Sequence, residues 1–390
     1  MTAGTEGVAR VWEVDTGALL FELRGHTDPI ATAAFTADGK SIVTASLDGT
    51  ARIWDAGTGR ELRGHTDWVH GATLSGDGED VFTVSADHYL ARWDADTGKR
   101  VWEALDRGGE TLNGVAVDPS DRFVASVGDD TTGVVWNART GEEIVVLQTD
   151  QDAEPSGHIS EVAAVDFDPR EGAARITTAG ADERALIWTW RGENAQVIRE
   201  LDAKLEPDRA VTHRGIVRSV AYSADGSRLV TAGDDKVARI WNPDSGALVA
   251  TLEGHEGIIG GAAFDPTGEL VVTASEDWTV RVWRIGDERE LMTLGGEGGP
   301  LRAVAFSRDG RLIAAAGSAG YTYVWEWPSG KLLAKLKMHS DLINSIEFGE
   351  GGRILSASDD RTAKIYSCST CGELEDIDRR ARDLVERIRY

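Results

Sequence analysis

The feature that most constrains this chain is a tryptophan that returns at near-regular intervals. Trp12, Trp54, Trp93, Trp136, Trp188, Trp241, Trp283 and Trp325, then Tyr366 in the same slot, are separated by 42, 39, 43, 52, 53, 42, 42 and 41 residues. A fixed period of this size means an array of small units, each unable to bury its apolar face except against its neighbours. It therefore overrides the two or three domains that 390 residues alone would suggest. The stretch 25–54, GHTDPIATAAFTADGKSIVTASLDGTARIW, is one clear copy.

Each unit reads as four strands. A short apolar run comes first, as in Ile30 to Phe35, Val217 to Tyr222 or Leu301 to Phe306. Its continuous apolarity predicts an innermost strand covered on both faces. An Asp-Gly turn such as Asp38-Gly39 or Asp225-Gly226 leads to a second strand, as in Ser41 to Ser46. A second turn, 47–49, opens a third strand in which polar Thr50 and Arg52 alternate with Ala51 and Ile53. A Thr-Gly or Ser-Gly turn then opens an outer strand such as Ala18 to Leu23.

A polar set recurs with the tryptophan: Asp six residues before it, Thr or Ser ten before it, and a Gly-His pair ahead of the first strand. The sets are His26, Thr44, Asp48, Trp54; His65, Thr83, Asp87, Trp93; His158, Thr178, Asp182, Trp188; His213, Thr231, Asp235, Trp241; and His255, Thr273, Asp277, Trp283. Such a set can link indole, hydroxyl, imidazole and carboxylate across three strands, each bond worth about 1 kcal/mol net. The unit ending at Trp136 keeps Ser126 and Asp130 without a histidine. The unit ending at Trp325 has Ala315 and Ala319 in the slots, and the last has His339, Ser356, Asp360 and Tyr366. Six of the eight histidines thus read as structural.

The Gly-His opening, the Asp turn and the closing Trp54-Asp55 and Trp93-Asp94 pairs resemble the WD40 family. The resemblance covers residues 1–366 and implies an all-β fold, a single β-propeller of four-stranded antiparallel blades. It also implies a platform for protein partners without catalysis. Eight blades are expected, with Ala18 to Leu23 completing the blade that ends at Tyr366 and Val8 to Trp12 left as a surplus strand. Thr2 and Glu6 fall ten and six before Trp12, as though a ninth unit were entered midway. A seven-bladed ring with residues 1 to about 54 left over is the alternative. Residues 367–390 form a separate segment, with Cys368 and Cys371 in a lone C-x-x-C. Leu374, Ile377, Ala381, Leu384, Val385 and Ile388 there fall on one helical face. The segment also resembles the ends of WD40 arrays in bacterial multidomain signalling proteins, where a propeller follows an NTPase or kinase.

Charge and motifs narrow the function. A net charge of −25 argues against nucleic acid and anionic membrane surfaces as partners. Two cysteines, with no secretory leader read at the start, point to the cytoplasm. No cofactor is expected. The Gly-Lys pairs sit in turns and do not make a phosphate loop, and G-x-S-x-G and H-E-x-x-H are absent from the sequence. His70 and His88 would need further ligands to hold a metal. No catalytic residue or metal ligand is therefore assigned; a propeller hydrolase at the ring mouth and a remnant of a larger NTPase or kinase protein are the rival readings.

The resemblance places partner binding on the face built from the Gly-His loops and the Asp turns. Trp68, His70, Asn113, Arg218, Lys236, Trp278, Arg302 and Asn344 are placed there, Trp68 and Trp278 standing outside the structural slot. Asp129, Asp234, Glu276 and Asp359 precede the turn carboxylates and would make the rim acidic, which favours a basic segment as partner. Two long connections, 149–157 and 202–212, are expected over neighbouring blades on that face.

Overall fold

The structure is a computed structural model that describes residues 1–3, 7–12, 19–24, 28–35, 41–46, 51–55, 60–149, 156–170, 172, 174–192, 194–201, 213–295, 298–349 and 352–367. Seven four-stranded antiparallel blades stand in a ring. The innermost strands of the first to seventh blades are Val69–Leu74, Leu112–Val117, Val162–Phe167, Val217–Tyr222, Ile259–Phe264, Leu301–Phe306 and Ile343–Phe348. Successive innermost strands pack against each other around the ring, and the seventh returns to the first. Across that seam the amide of Ala72 donates to Ser345 Oγ at 3.1 Å and that of Leu74 to Glu347 Oε2 at 3.0 Å.

The blade count corrects the expectation of eight. The seventh blade is completed by Arg60–Arg63, which pairs with Thr362–Ser367 in the register Arg63 to Thr362 and Glu61 to Lys364. The strand over Ala18 to Leu23 is instead Leu19–Arg24, and it pairs edge to edge with Leu332–Lys337 of the sixth blade. The reason lies in a duplication: residues 22–28 and 61–67 both read ELRGHTD. Either copy has the alternation to fill the same edge, so local pattern did not choose between them. The second copy runs straight through Gly64 into the first blade. It places Leu62, fully buried, in a shared core with Val69, Ala363 and Ile365.

The residues before the ring form an annex. Val8–Trp12 lies between Thr2–Ala3 and Leu19–Arg24, extending the sixth blade to seven strands. Trp12 Nε1 donates to Thr2 Oγ1 at 2.9 Å, the same indole-to-hydroxyl bond that the blades make. Ile30–Phe35, Ser41–Ser46 and Ala51–Asp55 make a separate three-stranded sheet, whose own outer strand has gone to the seventh blade. Ile30 and Ile42 pack with Ala9, Val11 and Leu23.

Burial within blades also differs from the expectation. The innermost strands are not covered on both faces; Val69–Leu74 and Ile343–Phe348 alternate between buried and half-buried positions, because one side lines the channel. The continuously buried strand is the second one, as in Asp80–Ser85, Leu270–Ser275 and Leu312–Gly317. It lies between two blades and within its own sheet, so both its faces meet apolar neighbours. Among the described residues the helical turns are Ile285–Asp287 and Ser318–Gly320, both 3-10, and no α-helix occurs. The expected tail helix, Cys368 and Cys371, and most of the two long connections (150–155 and 202–212) lie outside the described residues.

Candidate functional site: the axial mouth

The polar sets hold the blades and leave little for chemistry. In the third blade Trp188 Nε1 donates to Thr178 Oγ1 at 2.8 Å, His158 Nε2 meets the same oxygen at 2.8 Å, and His158 Nδ1 lies 2.9 Å from Asp182 Oδ2. An indole can only donate, so the hydroxyl spends its one proton on Nε2, and Nδ1–H is left to donate to the carboxylate. The chain of bonds fixes one tautomer. The same geometry recurs on Thr83, Thr231 and Thr273. Burial works against the ionised form of Asp235, but the His213 hydrogen bond and the Arg239 guanidinium outweigh it and bring the carboxyl down to about 2. Burial lowers the imidazoles of His213, His255 and His339 despite their carboxylate partners. Thr44 is fully buried, while His26, Asp48 and the Trp54 side chain lie outside the description.

The two incomplete blades depart differently. In the second, Trp136 Nε1 still donates to Ser126 Oγ at 2.9 Å, and Gly108 stands in the histidine slot. A Cβ on Gly108 would meet Asp130 Oδ2 at 2.5 Å, so the turn carboxylate closes over the space an imidazole fills elsewhere. In the sixth, Tyr323 stacks on Trp325 with centroids 5.7 Å apart, over a fully buried Ala315.

The mouth of the channel is built by a second repeated device. Each innermost strand carries a bulge after its first residue: pairing passes from Val69 to Gly71, Leu112 to Gly114, Val162 to Ala164, Val217 to Ser219, Ile259 to Gly261, Leu301 to Ala303 and Ile343 to Ser345. The skipped residues are His70, Asn113, Ala163, Arg218, Gly260, Arg302 and Asn344. A bulge re-aims its extra side chain and often borders a site. Here all seven converge on one opening of about 270 Å³, joined by Trp68, Glu161, Glu276 and Asp359. Gly260 is required by close approach: a Cβ there would meet the Arg302 carbonyl oxygen at 2.7 Å.

Side chains of this ring reach to the next blade. Asn344 Nδ2 donates to the Val69 carbonyl at 3.3 Å, His70 Nδ1 to that of Leu112 at 3.2 Å, and Asn113 Nδ2 to that of Val162 at 3.2 Å. The carboxylates before the turns answer them. Asp129 accepts from Asn113 at 2.7 Å and Asp359 from Asn344 at 2.6 Å; Asp234 pairs with Arg218, and Glu276 lies 3.6 Å from Arg302 across the blade boundary. Burial raises the Asp359 carboxyl above the usual range, against its Asn344 hydrogen bond.

Six of the eight predicted partner residues line the mouth: Trp68, His70, Asn113, Arg218, Arg302 and Asn344. Lys236 and Trp278 do not. Both stand further out, at the left-handed position after the turn aspartate, with φ of 65° and 72°. Lys236 Nζ donates to the Glu256 carbonyl at 2.8 Å, and Trp278 is 54% exposed. Trp68 is 50% exposed, its ring centroid 6.4 Å from that of His70. His88 takes the same left-handed position in the first blade and does not join His70. Sequence reasoning missed Glu161 in the mouth and Ile159, 77% exposed beside it. The signal was there in register: Ile159 follows His158 where other units have Thr66, Arg214, Glu256 and Ser340. No cluster of three or more metal-ligating side chains occurs among the described residues.

Comparison with known proteins agrees with this architecture. The family model described as "WD domain, G-beta repeat" matches residues 17–55, 58–94, 208–242, 246–284, 288–326 and 330–367. The chain is 28% identical over 127 residues to a coronin-like protein crn1 of Schizosaccharomyces pombe, covering 32% of this chain and 19% of that protein. It is 28% identical over 153 residues to the nuclear distribution protein PAC1 of Arthroderma otae, covering 39% and 31% respectively. It is 43% identical over 67 residues to the mouse WD repeat-containing protein 41, covering 15% of each. The chain thus spans less than a third of the length of these relatives. They are eukaryotic and lend no support to the bacterial-type reading of the tail.

Proposed function

Because this chain belongs to the WD40 family, we propose that it is a non-catalytic scaffold that holds a protein or peptide partner at the axial mouth. The observation that carries the reading is the ring of bulges, which turns one side chain per blade toward a single opening. Around it Trp68, Trp278 and Ile159 leave large apolar groups in water, the kind of group that anchors interfaces when covered.

The partner segment is basic. Glu161, Glu276 and Asp359 outnumber Arg218 and Arg302 in the lining of the mouth, and Glu161 has no side-chain partner among the described residues. A chain of net charge −25 also draws basic partners by long-range attraction. Trp68→Ala and Trp278→Ala are expected to weaken partner capture in pulldowns by about tenfold or more each. Unchanged capture by both variants overturns the assignment of the site.

A further inference from the structure

The mouth is not uniform around its rim. Where the seventh blade meets the first, Trp68, His70, Asn344 and Asp359 line the opening together. Asn344 Nδ2 gives one hydrogen to the Val69 carbonyl at 3.3 Å and the other to Asp359 Oδ1 at 2.6 Å. Amide and carboxylate are thereby tied to the backbone between Trp68 and His70, whose rings stand 6.4 Å apart, centroid to centroid. Segments 64–70, 338–344 and 358–362, which build this corner, lie wholly within the described residues.

The side chains that bond here have spent their donors. Both Nδ2 hydrogens of Asn344 are used, so its Oδ1 is left as an acceptor. A carbonyl can only accept, so His70 Nδ1 carries the proton shared with Leu112, and Nε2 of the neutral ring is an acceptor too. Asp359 Oδ2 has no partner among the described residues, and none of these three atoms is sealed from solvent. Charge agrees with this count. Asp341 adds to the negative field at Asp359, and Arg302, the guanidinium of the lining on this side, lies 3.6 Å from Glu276. Arg361 stands further out, at the left-handed turn position shared with Lys236 and Trp278, and is not in the lining. Even with Arg361 included, the carboxylates are in excess. The second blade repeats the amide and carboxylate pair in Asn113 and Asp129, but the one indole of the lining belongs to this corner.

On the reading that the mouth is the partner site, we infer that this corner receives a lysine side chain of the partner. Its stem lies along Trp68, and its ammonium donates to acceptors drawn from His70 Nε2, Asn344 Oδ1 and Asp359 Oδ2. An arginine is recognised best by a fork that takes both oxygens of a carboxylate, and Asn344 already occupies one oxygen of Asp359. Separate acceptors of three kinds suit the rotatable donors of an ammonium. A chain N-terminus would bring the same ammonium without the four-carbon stem that covers an indole.

The test is selection from a phage-displayed dodecapeptide library on the immobilised full chain, followed by synthetic copies with acetylated N-termini. Enriched peptides should share an internal lysine. Exchanging that lysine for arginine or for Nε-acetyl-lysine should weaken binding at least about tenfold, and so should Asp359→Asn and Trp68→Ala in the chain. The peptide exchanges leave the fold of the chain untouched. Arginine that binds as tightly as lysine, tolerance of the Nε-acetyl group, loss of binding on acetylating the N-terminus, or indifference to Asp359→Asn overturns the inference. Basic peptides weakened by Glu161→Gln and not by Asp359→Asn would overturn it and leave the mouth as the partner site. Peptides indifferent to Trp68→Ala, Glu161→Gln and Asp359→Asn alike would overturn both.

Discussion

Glu347 shows how much one side chain can carry in a repeat. It sits in the innermost strand of the seventh blade, and its carboxyl accepts the Leu74 amide across the ring seam. Burial raises that carboxyl from 4.5 to about 7, against the hydrogen bonds it accepts. The folded chain therefore holds the proton more tightly than the unfolded one. The stabilising contribution is whole below about pH 4.5 and is lost as pH climbs through about 7. Glu347→Gln keeps an acceptor for Leu74 and removes the titration. The fall in urea midpoint between about pH 5 and pH 8 should be smaller in the variant than in the parent chain; an identical fall in both would remove Glu347 from the account. The structural histidines act in the opposite sense. The imidazoles of His213, His255 and His339 are lowered by burial, so their contribution is present above the ordinary value of 6.5 and is lost as pH falls below it.

At the scale of the blade, the bonded set matters more than any one hydroxyl. Thr178→Val takes away the acceptor of Trp188 and the donor to His158 together, leaving two buried groups unmatched. Ser126→Ala in the second blade strands only the Trp136 indole, since no histidine stands there. The first should cost about 2–4 kcal/mol and the second about 1–2 kcal/mol in chemical denaturation. Equal costs would show that the bond from Thr178 to His158 adds nothing to stability. The sixth blade indicates how the set can be replaced: a tyrosine stacked on the tryptophan substitutes ring packing for the chain of hydrogen bonds. The sets were legible in the sequence because each is confined to about one repeat and fixed by spacing. The bulges were not, since a bulge is a mismatch in pairing between two strands and leaves no residue-type signature. The mouth residues were therefore named from their place in the repeat, and the device that aims them came only with the fold.

The whole ring depends on which copy of ELRGHTD closes it. Leu62 is fully buried at the seam, and Glu61 lies 3.7 Å from Lys364. Leu23, its duplicate, is buried in the annex beside the sixth blade, outside the ring. Leu62→Asp places a charge in a sealed apolar site and should destabilise the ring by about 3–5 kcal/mol, with early proteolytic cuts in the seventh blade. Leu23→Asp should leave the ring resistant and expose only residues before Arg60 to protease. If Leu23→Asp opens the seventh blade instead, the closure described here is wrong.

The repeating unit is legible in residue order alone: four strands, their order, the turns, and the polar sets that hold each blade together. Those features rest on contacts made within some forty residues, where spacing and residue type are enough to specify them. The tertiary structure decided the number of blades, since closure joins segments about 300 residues apart and two identical candidates compete for one edge. It decided that Lys236 and Trp278 stand apart from the mouth while Glu161 enters it, because the turn backbone directs them there. It also decided that Phe123 and Trp190 meet across two blades, a contact that depends on how neighbouring repeats stack and that no single repeat encodes.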